Sequence, residues 1–265
     1  MPTAFQEPCE QDLKSPGLDK PEERSIYKPK RFTEKRGLVI ACEGLDGSGK
    51  TTIISRLRER LEDQGVRTIV SNWNDTTEIY NLMMSLNMSG DLTGEMRCLL
   101  GAVELAARYH YVILPALEEN KVVFVTKYLI SAKSHALMRK QDRQFVARLY
   151  DFALEPDITL YVDVPPAVAL KRKTEHGRIG FWEAGIDLAL DLPLEESLRK
   201  FQSGELTQEF LEQRFSEFQG GLRSFHKQLL GNSNVKYVDG TRPVETVVEE
   251  SLGAIEPLIA KVLSS

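Results

Sequence analysis

The chain has few cysteines and no long apolar run. Only three of its 265 residues are cysteine, at positions 9, 42 and 98, and none forms a CxxC pair. An odd number of widely spaced cysteines is typical of reduced thiols and not of a disulfide framework or a zinc site. No stretch of about 18 apolar residues occurs, so we expect no membrane-spanning helix. The N-terminal residues are acidic and contain no apolar signal core, which favours a cytoplasmic protein.

An excess of positive charge is also missing. The chain has 34 Lys and Arg against 39 Asp and Glu, a formal net charge of -5. Nucleic-acid-binding domains usually present a basic surface, so we expect no nucleic-acid partner, although a local basic pocket for phosphates is compatible with this balance. The four histidines are scattered and form no pair with metal-ligand spacing.

Residues 1–36 differ in composition from the rest. They contain five prolines among many charged residues and little apolar content. Such a composition cannot bury a core, so we predict a disordered or extended tail. Residues 37–265 are predicted to form one domain, with a helical lid or insertion at about 176–218, where the pattern is irregular and partly acidic.

Short apolar runs alternate with longer amphipathic stretches after residue 37. The apolar runs predict strands at 38–42, 68–70, 122–125, 158–164 and 235–238. The amphipathic stretches predict helices at 51–63, 93–120, 141–154, 167–175, 206–230 and 244–263. This alternation predicts an α/β fold with a five-stranded parallel sheet and helices on both faces. Ligands of such sheets bind at the carboxyl ends of the strands.

A phosphate-binding loop follows the first predicted strand. Residues 44–51 read Gly-Leu-Asp-Gly-Ser-Gly-Lys-Thr, which fits Gly-x4-Gly-Lys-Thr, and an amphipathic helix follows. Glycines allow backbone N–H groups to surround phosphate oxygens, and the helix adds its positive dipole end. Lys50 is expected to reach the β and γ phosphates, and the Thr51 hydroxyl to ligate Mg²⁺. The predicted nucleotide-binding residues of this loop are Gly44, Asp46, Gly47, Ser48, Gly49, Lys50, Thr51 and Thr52.

The same loop occurs in GTPases, but the guanine-reading segment is incomplete here. GTPases usually carry [NT]KxD, whereas residues 126–129 read Thr-Lys-Tyr-Leu and end without the Asp. The pattern therefore favours an ATP-dependent enzyme with ATP and Mg²⁺ as cofactors.

The run Val-Ile-Ala-Cys-Glu-Gly-Leu-Asp-Gly-Ser-Gly-Lys-Thr-Thr, residues 39–52, resembles the opening of thymidylate kinases. Residues 99–118 have the spacing of that family's long central helix, and residues 156–166 resemble its fourth strand. Residues 235–241 resemble the strand and loop that pack on adenine. The resemblance covers about residues 37–264 and implies a P-loop nucleoside-monophosphate-kinase fold with a helical lid.

The resemblance also implies roles for residues outside the loop. Arg172, Lys173 and Arg178 of the lid should close over the phosphates, where positive charge stabilises the transition state of phosphoryl transfer. Lys127 takes the place of an Arg in the family's Asp-Arg-Tyr, and Asp239 and Thr241 should lie beside the bound ATP. Thymidylate kinases are commonly dimers, so a homodimer is compatible with the sequence.

The acceptor side departs from the family pattern. Residues 72–75 read Asn-Trp-Asn-Asp where the family has Arg-Glu-Pro, and Thr126 replaces the Asp of Asp-Arg-Tyr. Leu105 stands where the family has an Arg that grips the acceptor phosphate, and Gly101 where it has a thymine-stacking Phe. Arg can donate two parallel hydrogen bonds to one phosphate and Lys cannot, so Lys127 in place of the family's Arg is not a conservative change.

Eight residues are candidates for binding the acceptor: Asp46, Trp73, Asn74, Asp75, Glu104, Arg108, Lys127 and Tyr128. Asp75 and Glu104 would suit an acceptor with hydroxyl or cationic groups, and one of them could take a proton from an attacking hydroxyl. Glu104 also lies one helical turn from Arg108 and can pair with it instead.

Three functions are compatible with these residues. The first is ATP-dependent phosphorylation of dTMP or a related nucleoside monophosphate, in keeping with the resemblance. The second is a kinase of the same fold that acts on a nucleoside or on a non-nucleotide metabolite. The third is a nucleotide-binding regulator without catalysis, which the loss of the Asp at position 126 favours and the intact Lys50 and Thr51 oppose.

Overall fold

The computed structural model describes residues 37–73, 77–231 and 234–263. The strands are β1 (Leu38–Gly44), β2 (Thr68–Ser71), β3 (Val122–Thr126), β4 (Ile158–Asp163) and β5 (Val235–Asp239). They form one sheet in the order β2-β3-β1-β4-β5, and every neighbouring pair is parallel. This confirms the predicted five-stranded parallel α/β fold.

Helices connect the strands and cover the sheet. They are α1 (Lys50–Asp63), α2 (Thr77–Met88), α3 (Gly94–Arg108), α4 (Leu114–Glu118), α5 (Leu129–Met138), α6 (Arg143–Leu149), α7 (Pro166–His176), α8 (Leu194–Gln202), α9 (Gln208–Leu230) and α10 (Val244–Leu263). Within the described residues, no helix combines the length and the apolarity that are required to cross a lipid bilayer.

The sheet is buried on both faces because successive side chains of a strand point to opposite sides. Val39 and Ala41 of β1 pack in a cluster with α3 and α5. Leu38, Ile40 and Cys42 pack in a second cluster with α1 and α10. Continuous burial along β1 explains why residues 38–42 are an unbroken apolar run and not an alternating one.

The predicted helix at 93–120 is interrupted. A π-helical turn, Tyr109–Ile113, separates α3 from α4, and Pro115 lies at the start of α4. The π turn accommodates one more residue per turn than an α-helix, which a sequence period cannot reveal. The sequence also gave no sign of α2 or of α5, whose LISAKSHALM has only a weak apolar period. The predicted tail, 1–36, lies outside the described residues.

Residues 178–190 are part of the predicted lid or insertion at about 176–218, and in this lid segment they form turns and one short 3-10 helix, Ile186–Leu188. Ile179, Phe181 and Ile186 are buried in a third apolar cluster that includes Leu45 of the phosphate-binding loop. An ion pair fixes this segment to α5, because Arg139 donates to both carboxylate oxygens of Asp187 at 2.8 and 3.1 Å.

A fully buried ion pair joins α3 to the ends of two strands. Arg108 Nε lies 2.8 Å from Glu104 Oε1, and both side chains are 0% exposed. The same guanidinium donates to the carbonyl oxygens of Ser71, the last residue of β2, and Lys127, the residue after β3, both at 3.4 Å. Replacing the guanidinium would leave the Glu104 carboxylate in the core without its cation, which would strongly destabilise the fold.

We therefore expect Arg108→Met to lower the free energy of unfolding by about 3–5 kcal/mol. Arg58→Met is the matched control, because Arg58 and Glu62 form the same i,i+4 pair with 36% and 46% of their side chains exposed. Arg58→Met should lower the free energy of unfolding by less than about 0.5 kcal/mol. Urea denaturation of both variants measures the difference, and equal losses would contradict the assigned role of burial.

Candidate active site

The phosphate-binding loop lies between the carboxyl end of β1 and the start of α1. Gly47 has φ +86°, a left-handed conformation, and a Cβ there would lie 2.5 Å from the carbonyl oxygen of Ala169 in α7. Only glycine fits this close approach without strain. The local sequence therefore makes a glycine-rich turn at a helix N-terminus, which is suited to bind phosphate.

Lys50, the first residue of α1, points back into this loop. Its ammonium donates to the carbonyl oxygens of Gly44 at 2.9 Å and Leu45 at 2.7 Å. Burial lowers the pKa of Lys50, although the neighbouring Asp46 carboxylate opposes the shift. A buried ammonium held by two loop carbonyls is ready to exchange them for stronger anionic phosphate oxygens.

An open cavity extends from the loop and forms the candidate donor site. It is lined by residues 46–53, by Thr126 and Lys127 at the end of β3, by α7 and by the loop after β5. Arg172 spans it, donating to Ser48 O at 3.1 Å and to Gly240 O at 2.7 Å. Arg178 is exposed and does not line this cavity. Asp239 and Thr241 hydrogen bond to each other and line the adjoining cavity.

The residues of the donor site fit ATP and Mg²⁺. The glycine cradle and Lys50 suit a polyphosphate, and Thr51 lines the cavity at the start of α1. The described residues contain no group of three or more His, Cys, Asp or Glu that could hold a metal on their own. Mg²⁺ does not need such a group, because it is commonly held by one or two protein ligands together with substrate phosphates and water.

A second cavity adjoins the donor site and is the candidate acceptor site. Its lining includes Asp46, Trp73, Arg97, Cys98, Gly101, Lys127, Ser131, His135, Arg139, Tyr150, Trp182 and Glu183.

Asp46 and Lys127 line both cavities and mark the place where they meet. Lys127 Nζ lies 2.9 Å from Asp46 Oδ1. Burial alone would raise the pKa of Asp46, but Lys127 and Lys50 outweigh it and hold that pKa well below its usual range. Burial would lower the pKa of Lys127, but the Asp46 carboxylate outweighs burial and raises that pKa above its ordinary value. Both groups are therefore charged at neutral pH.

The backbone at Lys127 is constrained from several sides. Its φ of +48° is uncommon for a residue other than glycine and is typical of functional turns. The next residue, Tyr128, donates its N–H to the buried Glu43 carboxylate at 3.0 Å, and Ser131 donates to the same carboxylate. Burial raises the pKa of Glu43, and these hydrogen bonds act against the shift. Together with Arg108, Glu43 fixes the turn that carries Lys127.

The predicted acceptor residues are not all in the acceptor cavity. Trp73 lines it, together with Asp46 and Lys127. Glu104 and Arg108 are buried as the ion pair described above and do not line it. The Tyr128 side chain is fully buried, and its hydroxyl donates to Leu154 O at 2.9 Å. Asn74 and Asp75 lie outside the described residues.

Trp73 occupies space that Gly101 leaves open. A Cβ on Gly101 would lie 3.3 Å from Cη2 of the Trp73 indole and 3.7 Å from the Tyr150 hydroxyl. The sequence places Gly101 where the resembled family has a Phe. The aromatic ring in this part of the cavity thus comes from the loop after β2 and not from α3.

Sequence reasoning missed Arg97 and Trp182. The Arg97 guanidinium carbon lies 3.8 Å from the centre of the Trp182 ring. Burial and the Arg139 charge lower the pKa of Arg97 to about 9, so it remains protonated at neutral pH. Burial and the nearby cations keep His135 neutral, with a pKa well below its ordinary value. One signal was present, because Arg97 is four residues before Gly101 and hence on the same face of α3.

Comparison with known proteins agrees with this geometry. The family model described as thymidylate kinase matches residues 42–181. A probable thymidylate kinase 2 of Saccharolobus solfataricus is 33% identical over 213 residues, which are 80% of this chain and 92% of that protein. A probable thymidylate kinase of Pyrococcus abyssi is 30% identical over 159 residues, which are 58% of this chain and 78% of that protein. A thymidylate kinase of Oleidesulfovibrio alaskensis is 31% identical over 144 residues, which are 52% of this chain and 68% of that protein.

A parallel sheet with a phosphate-binding loop at its carboxyl edge, joined to an acceptor cavity, defines a P-loop phosphotransferase. With the matches to family and relatives, the assignment becomes specific. The chain belongs to the thymidylate kinase family and is an ATP-dependent kinase.

Lys50→Met should lower kcat by at least about 100-fold, because it removes the cation aimed at the transferring phosphoryl group. The fold should remain, since the change takes a desolvated ammonium out of the core. ADP release with ATP and Mg²⁺ measures the first effect, and the thermal unfolding midpoint the second. Lys171→Met, whose side chain is 76% exposed on α7, is the control. Undiminished turnover of the Lys50 variant would refute the loop's role.

Asp46→Asn should destabilise the protein by about 2 kcal/mol at pH 7, because Lys127 and Lys50 lose their counter-charge. The folded pKa of Asp46 lies below its ordinary value of 3.8. Its contribution is therefore present above pH 3.8 and is lost as the pH falls towards the folded pKa. Urea denaturation from pH 7 to 3 should show the difference between the variant and the parent chain shrinking below pH 4.

Asp151→Asn, at an exposed position, controls for the substitution and should change the free energy of unfolding by less than about 0.5 kcal/mol. A deficit in Asp46→Asn that grows as the solution becomes more acidic would contradict the assigned sign.

Proposed function

We propose that this enzyme transfers the γ-phosphoryl group of ATP to the phosphate of dTMP, giving dTDP and ADP. The observation that supports this most strongly is the junction at Asp46 and Lys127, where the donor and acceptor cavities meet. The relatives reported above are named thymidylate kinases or probable thymidylate kinases, which supports dTMP as the acceptor.

The chemistry at the junction suits an acceptor that is already ionised. A phosphate monoester has a second pKa near 6, so its oxygen needs no general base at neutral pH. An alcohol acceptor would benefit from one, but Glu104 is held in the buried pair with Arg108. The two carboxylates that line the cavity, Asp46 and Glu183, are paired with Lys127 and Lys173. Thr126 in place of an Asp is compatible with the same argument, and its hydroxyl donates to Asn72 Oδ1 at 3.2 Å.

The chain's own groups then have distinct tasks. Lys50 would leave the carbonyl oxygens of Gly44 and Leu45 to bind phosphate oxygens of ATP, and the Thr51 hydroxyl would hold Mg²⁺. Bound Mg²⁺ supplies further positive charge to the phosphates. Lys127, held by Asp46, orients the acceptor phosphate at the junction. Arg172 lies at the donor phosphates and adds positive charge to the developing transition state.

A homodimer through α3 is part of the proposal. Met96, Leu99 and Val103, spaced as one stripe along α3, are 36%, 41% and 52% exposed. Exposed apolar stripes of this kind commonly mark protein interfaces.

We also propose that residues 37–265 form the kinase domain and that residues 1–36 form a tail. The cytoplasmic location is supported by the unpaired Cys42 and Cys98.

The direct test is ADP release by the purified full chain with ATP and Mg²⁺ and a panel of acceptors, with the products identified by mass. The panel holds dTMP, dUMP, dCMP, dAMP, thymidine and several simple alcohols. We expect dTMP to gain one phosphate with the highest kcat/KM, and Lys50→Met to abolish the product.

Two other outcomes would refute the proposal. If thymidine or an alcohol gains phosphate and dTMP does not, the acceptor cavity serves another metabolite. If ATP binds and no acceptor is phosphorylated, the nucleotide-binding regulator considered above replaces the proposed kinase activity on dTMP.

A further inference from the structure

A single buried amide joins the phosphate-binding loop to the lid segment. Gln219 lies in the middle of α9 and is 0% exposed. Its side-chain oxygen accepts the backbone N–H of Asp46 at 3.1 Å, and its side-chain nitrogen donates to the carbonyl oxygen of Glu183 at 2.9 Å. These partners fix the orientation of the amide, because a backbone N–H can only donate and a backbone carbonyl can only accept.

The side chains around this amide are apolar. Phe215, Phe218 and Leu222 of the same helix are buried in the third apolar cluster, together with Leu45 of the phosphate-binding loop. A polar group in such surroundings destabilises the fold unless it is hydrogen bonded. A leucine at position 219 would fill similar space, but it would leave the loop N–H and the lid carbonyl without the partner that joins them.

A close contact fixes the lid segment on the same turn of α9. Gly185 has φ +60°, and a Cβ there would collide with the ring of Phe218, the residue before Gln219. Only glycine allows the two segments to approach so closely in this backbone conformation. The contact at Gly185 and the hydrogen bond to Glu183 therefore restrict the lid segment to one position along the helix.

The two residues that the amide holds carry charges of the candidate active site. The Asp46 carboxylate pairs with Lys127 at the junction of the cavities, at 2.9 Å. The Glu183 carboxylate lines the acceptor cavity and pairs at 2.8 Å with Lys173, which lines the donor cavity. By holding both backbones, the amide sets the spacing between the two carboxylates and, through them, between the two ammonium groups.

We infer that Gln219 is a positioning residue for phosphoryl transfer, which holds the phosphate-binding loop and the lid segment at the separation that the reaction requires. The inference rests on the proposed function and adds a residue that lines neither cavity. Lys127 and Lys173 belong to separate segments of the chain, so their joint placement depends on what fixes one segment against the other. A displacement of about 1 Å in such groups can lower a rate about 100-fold.

The first test is steady-state kinetics of the full chain with ATP, Mg²⁺ and dTMP. Gln219→Leu should lower kcat about 10- to 100-fold. Its KM for ATP should change less than about threefold, because Lys50 and the glycine-rich turn remain. Gln213→Leu is the matched control, because Gln213 is exposed on the same helix and its amide donates to Glu217 at 2.9 Å. It should leave both constants unchanged.

A carboxyl group in place of the amide tests the two hydrogen bonds directly. In Gln219→Glu the protonated group can accept from Asp46 and donate to Glu183, whereas the ionised group can only accept. Burial and the carboxylates of Asp46 and Glu183 raise the pKa of the introduced group, and Lys127 and Lys173 oppose that shift. Its kcat, divided by that of the parent enzyme, should therefore rise about 10-fold from about pH 8.5 to about pH 5.5.

Two precautions make this ratio independent of folding. Each rate is divided by the fraction of enzyme that binds ATP at that pH, so unfolded protein does not contribute. Gln213→Glu places a carboxyl group on the exposed face of the same helix, and its ratio to the parent enzyme should not depend on pH. A residue that only stabilises the fold would lower the thermal unfolding midpoint and leave both ratios level.

The outcomes distinguish this inference from the proposed function. Gln219→Leu with the kcat of the parent enzyme would overturn the inference, as would a level ratio for Gln219→Glu. If Gln219→Leu does not fold, the pH dependence of Gln219→Glu decides alone. Either negative result leaves the proposed function intact as long as the parent enzyme phosphorylates dTMP. A parent enzyme that phosphorylates no nucleotide would overturn the function, and this inference with it.

Discussion

The guanidinium of Arg108, which has no access to water, holds the acceptor side of this enzyme in place. Arg108 pairs with Glu104 on its own helix and donates to the carbonyls at the ends of β2 and β3. A cation removed from solvent is tolerable only where its N–H groups find oxygen partners, so the helix and both strand ends are restricted to one arrangement. The second of these carbonyls belongs to Lys127 itself, so the place of this residue at the junction of the cavities depends on that arrangement.

The two halves of the site rely on different parts of the chain. The donor half consists mainly of backbone, a glycine-rich turn between β1 and α1, to which Lys50 and Arg172 add positive charge. The acceptor half consists of side chains from separate elements, namely Trp73 after β2, Arg97 on α3, His135 on α5 and Trp182 in the lid segment. Backbone geometry tolerates changes in sequence around it, whereas a cavity made from side chains changes its ligand whenever one of them changes.

This difference explains what the sequence could reveal. The phosphate-binding loop at Gly44–Thr51 and the alternation of apolar and amphipathic runs are local patterns, so the fold class, the five parallel strands and the loop could be predicted from them. The pairing of Glu104 with Arg108 could be anticipated because the two residues are one turn apart, but their complete burial could not. Arg97 and Trp182 are 85 positions apart in the chain, and no local pattern links them. Their contact follows from the packing of the lid segment on α5.

The complementary shapes of Gly101 and Trp73 restrict how this cavity can change over generations. A Cβ at position 101 would already lie 3.3 Å from the indole, and a full aromatic ring there would require the indole's own space. Placing a phenylalanine at position 101 of α3 therefore demands that the tryptophan be replaced first or at the same time. The order of substitutions matters, and an intermediate with both rings would be overpacked. Such epistasis makes the present arrangement difficult to leave by single steps, whichever acceptor it was selected for.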